Sequence, residues 1–182
     1  MQRKSLKKGR QISNAVREEM LKDVKIELIK ESEIQPTCDM IIRACRYSDF
    51  AEFYPQSSFD AVFEETDCEH IKQRAEYGHF YVAKENGKII GCGGIGAYWG
   101  SKTESWIFTV FVDPDYQKKG VGRKIIAFLE KDEYAKRADR IEIKAAMSAI
   151  PFYRKLGYEH KNGQLNYAEG HFDLEKFLKP EK

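Results

Sequence analysis

The sequence contains no apolar run long enough to form a membrane-spanning helix. It also lacks a Gly/Ser/Pro-rich linker, an internal repeat and a low-complexity tract, so its 182 residues are expected to form one main domain. The formal net charge is only +2, and this small excess argues against nucleic acid as the main partner. These absences favour a soluble globular protein with an ordinary hydrophobic core.

Cysteine is scarce, and its four copies form no C-x-x-C pair. This argues against a zinc ribbon, and the wide spacing suggests no disulfide framework. Reduced thiols in a cytoplasmic protein without a bound metal are therefore expected. The four positions are Cys38, Cys45, Cys68 and Cys92.

Residues 1–23 are predicted to be a basic leader that precedes a single domain at 24–182. No apolar segment follows the basic residues, as a secretory signal would require, and Glu18 and Glu19 argue against a mitochondrial transit peptide. A solvated leader, disordered or helical, is expected. Contact with RNA or another acidic surface is the alternative that a basic start leaves open.

The first part of the domain is predicted to contain a strand, interrupted helices and an antiparallel meander. Asn86-Gly87 separates two apolar runs, and this pair is a strong hairpin signal because both residues tolerate positive φ. The expected elements are a strand at 24–29, helices within 32–75, and strands at 79–83, 88–92 and 105–112.

The second part of the domain alternates between helices and strands. Its expected elements are a helix at 121–136, a strand at 141–145, a helix at 149–156 ended by Gly157, and strands at 158–160 and 167–177. The long helix is expected to bury an apolar stripe made of Val121, Ile125, Phe128, Leu129 and Ala135. The predicted class is therefore α/β (α+β), with a mixed, mostly antiparallel central sheet flanked by helices.

A turn with two glycines joins the strand at 105–112 to the helix that follows. The first N–H groups of a helix have no internal partner and lie at its positive end, so they can bind an anion. Gly120 and Gly122 would let the backbone approach closely, and four basic residues add charge. A pyrophosphate would suit this turn, although the glycines alone could also only relieve crowding. The basic residues are Lys118, Lys119, Arg123 and Lys124.

A second glycine-rich stretch, residues 91–96, fits the G-x-G-x-x-G pattern of dinucleotide-binding proteins. That fingerprint requires a helix directly after the glycines, whereas residues 97–101 favour no helix. We therefore interpret 91–96 as a strand with close backbone neighbours. The P-loop pattern is absent from the sequence.

Two motifs in order resemble those of the GNAT superfamily of N-acetyltransferases. Residues 117–122, QKKGVG, match the pattern [QR]-x-x-G-x-[GA] of its acetyl-CoA turn. Residues 149–158, AIPFYRKLGY, resemble its A-x-x-F-Y-x-K-x-G-[FY] helix. The element order extends this resemblance over residues 24–178 and implies a GNAT-like fold with acetyl-CoA as the co-substrate.

The resemblance also implies how the co-substrate is bound. The backbone of the strand before the turn would contact the pantetheine arm, and the N–H groups of the turn would hold the pyrophosphate. The cofactor-binding residues are thus expected to be Phe111, Val112, Gln117, Lys118, Lys119, Gly120, Val121, Gly122 and Arg123. In this motif Ala146 stands where asparagine is frequent, which removes one polar contact near the pantetheine.

Transfer to an amine requires a base or water path, an oxyanion site and an acid for the thiolate. By its place in the second motif Tyr153 is predicted to be the general acid, while Phe152 packs the helix on the sheet. The Val112 N–H is expected to bind the oxyanion. Glu104, two residues before Trp106 on the same strand face, is either the general base or a solvated carboxylate.

Further candidates are weaker. Glu64, Glu65 and His79 are alternative bases, and a water chain to solvent would need none of them. An acyl-cysteine at Cys92 would require an activated thiolate, which no neighbouring feature supplies, so direct transfer is expected. His171 could line the acceptor site, although an ordinary structural role suits it as well.

The sequence therefore predicts an N-acetyltransferase that acts on a primary amine of a small molecule or a protein. The alternatives are a non-catalytic acyl-CoA-binding module and an RNA- or ribosome-associated factor. Acceptor contacts would come from residues 45–75 and the end strands, and these strands could also pair in a homodimer. Aromatic residues crowd that segment, as a pocket wall or an amphipathic helix: Tyr47, Phe50, Phe53, Tyr54 and Phe59.

Overall fold

The computed structural model describes residues 21–47, 68–168 and 170–178. Its strands are β1 (Lys25–Leu28), β2 (His79–Glu85), β3 (Lys88–Ala97), β4 (Glu104–Val112), β5 (Arg140–Ala145), β6 (Glu159–His160), β7 (Tyr167–Ala168) and β8 (His171–Phe177). Its α-helices are α1 (Ile34–Tyr47), α2 (Cys68–Tyr77), α3 (Val121–Leu129), α4 (Glu133–Arg137) and α5 (Ile150–Arg154). Most of the basic leader, the candidate bases Glu64 and Glu65, and three of the aromatic residues lie outside the described residues, as does Phe59.

All eight strands belong to one sheet, in the order β1-β2-β3-β4-β5-β8-β6, with β7 paired to β8. Every pairing is antiparallel except β4 with β5, which is parallel. The predicted fold class is therefore confirmed. The predicted β2–β3 hairpin also forms, since Asn86 and Gly87 connect the strands with φ values of 49° and 81°.

The glycine-rich stretch at 91–96 lies within β3 and is buried. Close packing explains its composition, because a Cβ atom at Gly91 would lie 2.9 Å from Ile125 Cδ1 and one at Gly94 would overlap the Phe108 ring. The interpretation as a strand is confirmed, and the chain has no helix directly after these glycines.

The helix predicted at 121–136 is in fact two helices, so that prediction was wrong in its length. Asp132 has an extended backbone and its side chain accepts the Tyr134 N–H at 2.8 Å, which caps the start of α4. Phe128, expected in the buried stripe, is exposed and packs edge-on against the Tyr81 ring. The other members of the stripe are buried, namely Val121, Ile125, Leu129 and Ala135.

Two apolar clusters, one on each face of the sheet, hold the helices in place. Helices α1 and α2 pack on one face through residues such as Ile41 and Ile71. Helices α3 to α5 pack on the other through residues such as Ile125 and Tyr153. Strand β4 contacts both clusters, with Phe108 on the α1–α2 side and Ile107 on the opposite side. Within the described part of the chain, no helix has the length and apolar character needed to cross a membrane.

Candidate active site

Strands β4 and β5 separate halfway along their length. They pair only from Glu104 with Arg140 to Ile107 with Ile143, and no pairing follows. The separation begins next to Thr109, which has a φ of 51° and lies at a bulge in the β3–β4 register. A bulge bends its strand. Strand β4 therefore follows β3 and leaves β5, which opens a gap in the middle of the sheet.

A cavity of about 840 Å³ occupies this gap. Its volume lies in the range of sites that bury most of a small ligand. The cavity joins three parts of the molecule: the separated strands, the start of α3 with its preceding turn, and the ends of α1 and α2. Helix α5 forms a further wall, with both Phe152 and Tyr153 lining the cavity.

The turn before α3 has the backbone geometry of an anion site. Lys118 and Gly120 have positive φ values of 61° and 102°, and α3 starts at Val121. The first intrahelical bond runs from the Lys124 N–H to the Gly120 carbonyl at 3.0 Å, so the preceding N–H groups lie free of the helix ladder. These groups sit at the positive end of a nine-residue helix.

Most of the residues predicted to bind the co-substrate line this cavity. They are Phe111, Val112, Gln117, Lys118, Gly120, Gly122 and Arg123. The Val121 side chain instead points into the core, where it is buried. Lys119 lies over the Tyr116 ring, 5.1 Å from its centroid, and lines a smaller neighbouring cavity.

Contacts within the two motifs explain part of their composition. A Cβ atom at Gly122 would lie 3.3 Å from Phe152 Cζ and 3.6 Å from Val112 Cγ2, so glycine lets α3 approach α5 and β4. The Gln117 side chain donates from Nε2 to the Val112 carbonyl at 3.2 Å. That bond ties the turn back to the strand it leaves.

An ionic contact also fixes the turn from the outside. Asp113 is buried, and its Oδ2 lies 3.2 Å from Arg43 Nη1 and 3.3 Å from Lys88 Nζ. Its Oδ1 accepts the Asp115 N–H at 2.9 Å. Helix α1 and the β3 start are thereby linked to the turn. The sequence gave no signal for this link, because Arg43 and Asp113 are 70 positions apart.

Tyr153 lies on α5 and is 6% exposed. Its ring packs edge-on against Phe152 and Tyr158, with centroid distances of 5.0 and 5.9 Å. Burial raises the pKa of the Tyr153 hydroxyl well above its usual value, so this group stays neutral at physiological pH. Helix α5 is shorter than predicted, and Gly157, with a φ of 88°, follows it.

The structure does not bring the candidate base Glu104 into the cavity. Its Oε1 lies 3.1 Å from Arg140 Nη2, at the paired end of β4. His79 is likewise outside the lining and contacts Asp132 Oδ2 at 2.8 Å. The expected spacing from Trp106 is real, but the strands separate beyond that residue, and Glu104 lies before it.

Two other candidates have clear positions. Cys92 is buried in β3, its Sγ lies 3.3 Å from the Thr109 carbonyl, and burial raises the pKa of its thiol far above the usual range. Such a thiol is a poor nucleophile at neutral pH. His171, at the start of β8, lines the cavity. Ala146 lines it too, at the end of β5.

The opposite end of the cavity contains residues that the sequence did not single out. Arg74 on α2 donates a hydrogen bond from Nη1 to Thr109 Oγ1 at the bulge. Trp106 packs against Phe108, with ring centroids 4.7 Å apart. All four side chains line the cavity. An arginine on an amphipathic helix usually reads as a solvated residue, so no sequence signal could have found this contact.

A central sheet with a parallel pair that separates beside a phosphate-type helix start defines the class of acyl-CoA-dependent N-acyltransferases. The sequence matches the acetyltransferase (GNAT) family over residues 41–158, more than half of the chain. The chain therefore belongs to this family. The predicted family is confirmed and, at the level of the family, so are the acyltransferase class and acetyl-CoA as co-substrate.

Curated relatives carry similar names. An uncharacterized N-acetyltransferase of Methanocaldococcus jannaschii is 35% identical over 100 residues, which cover 50% of this chain and 43% of the relative. The chain thus spans less than half the length of that relative. The uncharacterized N-acetyltransferase YafP of Escherichia coli is 23% identical over 139 residues, covering 76% of this chain and 83% of the relative. An alanine N-acetyltransferase of ribosomal protein bS18, from the same species, is 37% identical over 68 residues, covering 35% of this chain and 45% of the relative.

Solved structures show the same fold. The crystal structure of the PaiA N-acetyltransferase from Thermoplasma acidophilum, in complex with coenzyme A, superposes with a TM-score of 0.71 at 14% identity. It covers 85% of this chain and 99% of its own. The Escherichia coli N-acetyltransferase for the alanine of ribosomal protein S18 gives a TM-score of 0.58 at 18% identity, over 87% of this chain and 96% of its own.

Proposed function

We propose that the protein is an N-acetyltransferase that moves an acetyl group from acetyl-CoA directly to a primary amine. One observation carries this proposal: a single cavity connects the phosphate-type turn at Gly120 with the buried hydroxyl of Tyr153. A site for binding alone would need the turn, but it would not need a proton donor at the other end of the separated strands.

The described residues suit the donor from end to end. The free N–H groups between Lys118 and Arg123 would hold the pyrophosphate at the positive end of α3, and the charges of those two residues add to the attraction. The backbone of Phe111 and Val112 would contact the pantetheine arm in place of the missing strand partner. Bound there, acetyl-CoA supplies an acetyl thioester.

The Val112 N–H is suited to the oxyanion. The Asp113 N–H donates to the Ile90 carbonyl at 2.9 Å, and N–H groups alternate between the two edges of a strand. The Val112 N–H therefore points away from β3, into the gap that β5 leaves. A donor fixed there would stabilise the charge that develops on the carbonyl oxygen as the amine attacks.

The proton and bond changes balance without a covalent enzyme intermediate. The amine nitrogen bonds to the acetyl carbon, the carbon–sulfur bond breaks, and the thiolate takes a proton from the Tyr153 hydroxyl. Burial raises the pKa of that hydroxyl, and the same burial raises the pKa of the leaving thiol, which keeps the transfer feasible. Among the described lining residues there is no carboxylate, so the amine proton would leave through solvent.

The remaining functional statements rest on weaker support. A primary amine of a small molecule is the acceptor that we favour, and the similarity to alanine N-acetyltransferases of a ribosomal protein makes a protein N-terminus the second candidate. A cytoplasmic location agrees with four unpaired thiols. The exposed end strands would be the contact in a homodimer.

Calorimetric titration with acetyl-CoA and CoA tests the donor site. Gly120→Glu should weaken binding at least about tenfold, or about 1.4 kcal/mol, because it strains a backbone at φ +102° and adds negative charge beside the pyrophosphate. Gly87→Glu is the matched control, since it adds the same strain and charge at φ +81° in the hairpin turn. Equal effects of both variants would contradict the assignment of the turn.

A thiol-release assay with a panel of amines then separates the enzyme from its rivals. Release that depends on both acetyl-CoA and an amine supports the proposal. Tight donor binding without release by any amine, including a peptide that begins with alanine, would favour a non-catalytic acyl-CoA-binding module. Binding of RNA or ribosomes that is lost on deletion of residues 1–20 would favour the third alternative.

A further inference from the structure

The charges on the cavity wall have one sign. Among the described lining residues the ionisable ones are all bases, and neither Asp nor Glu is among them. A polyamine or another multiply charged cation would meet like charges throughout this wall. The basic lining residues are Arg74, Lys118, Arg123, Lys144, Lys155 and His171.

Arg74 is set apart from the basic residues of the phosphate turn. It lies on α2, on the α1–α2 face of the sheet, and its guanidinium bonds to the Thr109 hydroxyl at the bulge. Thr109 marks the point where β4 leaves β5, beside the backbone that would hold the acetyl thioester. Lys118 and Arg123 at the other end already suit the pyrophosphate. Arg74 therefore belongs to the acceptor end.

A second donor at the same end lacks an acceptor. The Trp106 Nε1 atom is buried and has no hydrogen-bond partner among the described residues, although Trp106 lines the cavity. A buried donor without a partner costs about 1–3 kcal/mol. The Trp106 ring contacts Phe108 and Tyr77, with centroid distances of 4.7 and 6.2 Å, and forms an aromatic wall. The end thus combines hydrogen-bond donors with an apolar surface.

We propose that the acceptor is an amino acid with an apolar side chain, whose carboxylate pairs with the Arg74 guanidinium. This inference rests on the proposed acetyltransferase function. Arginine matches a planar carboxylate with two parallel N–H donors, and such a pair is stronger than a neutral hydrogen bond. The Trp106 indole N–H is a further donor to the acceptor's oxygen atoms, and the aromatic wall receives its side chain.

Matched acceptors isolate the carboxylate. Thiol release is measured with L-phenylalanine, L-leucine, L-methionine and L-tryptophan, each beside its own amide, which keeps the amine and side chain but has no negative charge. For the best acid, kcat/KM should exceed that of its amide by about tenfold to a hundredfold, as a charge-assisted pair of about 1.5–3 kcal/mol gives. Equal rates, or faster reaction of the amides, would overturn the proposal.

The variant Arg74→Gln should remove this preference. Its kcat/KM should fall by about tenfold to a hundredfold for the acids and by less than about threefold for the amides. Arg46→Gln removes the same charge from an exposed position on α1 outside the described lining, and it should leave both values unchanged. An equal loss for acids and amides would assign Arg74 a structural role through Thr109 and overturn the proposal.

Donor binding distinguishes this failure from that of the proposed function. Calorimetry with acetyl-CoA should give the same Kd for the wild type and Arg74→Gln. If acetyl-CoA binds and an alanine-initiated peptide reacts while no amino acid does, the acceptor class is wrong and the acetyltransferase function stands. If acetyl-CoA does not bind to the folded wild type, the proposed function itself has failed.

Discussion

Glu104 Oε1 and Arg140 Nη2 lie 3.1 Å apart across the first registered pair of the parallel strands β4 and β5. Arg140 also contacts Glu142 at 3.3 Å and Glu175 at 2.7 Å, so its guanidinium joins carboxylates from three strands. The network closes the end of the sheet where the strands are paired. The cavity begins at the other end, beyond Trp106.

We predict that Glu104→Gln retains acetyl transfer. The carboxylate lies outside the described cavity lining and is held by Arg140, so kcat/KM should change by less than about threefold. The free energy of unfolding should fall by about 0.5 kcal/mol, as for a partly exposed ion pair. Steady-state kinetics and urea titration measure both quantities. A loss of a hundredfold in kcat, with donor binding intact, would instead make Glu104 the general base that the sequence suggested.

We predict that Tyr153→Phe lowers kcat by about a hundredfold, the lower range for a lost general acid, with little change in the Kd for acetyl-CoA. Because burial raises the Tyr153 pKa, its neutral form persists as the pH rises, and the wild-type rate should show no alkaline decline from this residue below about pH 10. Stopped-time thiol release across pH 6–9.5 measures both effects.

Tyr158→Phe is the matched control for this prediction. Tyr158 is also a buried tyrosine and packs against Tyr153, but its hydroxyl donates to Glu130 Oε1 at 3.0 Å and lies outside the described cavity lining. The control should lose about 1 kcal/mol of stability and keep kcat. Similar kcat values for Tyr153→Phe and the wild type would remove Tyr153 from the chemistry.

Local patterns account for most of what the sequence predicted. The Asn86-Gly87 turn, the strand through the glycines at 91–96 and the turn at Gly120 each depend on residues close together in the chain. Their backbone preferences are decided by φ and by the absence of a Cβ atom, so a short pattern is sufficient. The motif order then led to the correct family and to a cavity at the predicted turn.

Long-range contacts account for what the sequence missed. Arg43 meets Asp113, and Arg74 meets Thr109, across 70 and 35 positions, and neither pair leaves a periodic trace. Glu104 has the expected face, but only the register with Arg140 determines at which end of the gap it lies. The break before α4 was missed because the apolar stripe of α3 continues in phase, while the cap at Asp132 interrupts the backbone.

We predict that Asp132 stabilises the fold in a pH-dependent way. Burial alone would raise the pKa of Asp132, but hydrogen bonds from Tyr81 at 2.7 Å and His79 at 2.8 Å outweigh burial and lower it. A carboxyl with a lowered pKa in the folded state adds stability above its unfolded pKa of about 3.9, and this contribution is lost as the pH falls through the folded value.

The variant Asp132→Asn should therefore be less stable than the wild type by about 1–3 kcal/mol at pH 7, because it also weakens the cap of α4. The difference should shrink as the pH falls from about 5 to about 2. Urea titrations of both proteins across this range measure it, with Asp139→Asn, an exposed aspartate, as the control. A difference that is constant with pH would mean that the charge of Asp132 contributes nothing.

We predict that Cys38 and Cys68 form a disulfide under mild oxidation. Their Sγ atoms lie 2.6 Å apart, between α1 and α2. Burial and the neighbouring Cys68 raise the pKa of the Cys38 thiol to about 12, so the partly exposed Cys68 should react first with oxidised glutathione. Cys38 then displaces glutathione from the mixed disulfide, and two glutathione thiols are released for each bond formed.

The closed loop should raise the free energy of unfolding by about 3–4 kcal/mol. Peptide mapping after trapping free thiols with iodoacetamide, and urea titration of the oxidised and reduced protein, measure the bond and its effect. Cys38→Ser should abolish both, whereas Cys45→Ser, at another buried cysteine of α1, should abolish neither. If oxidation leaves Cys38 and Cys68 both open to alkylation in the unfolded protein, the contact between them does not mature into a bond, and the two helices are held together by apolar packing alone.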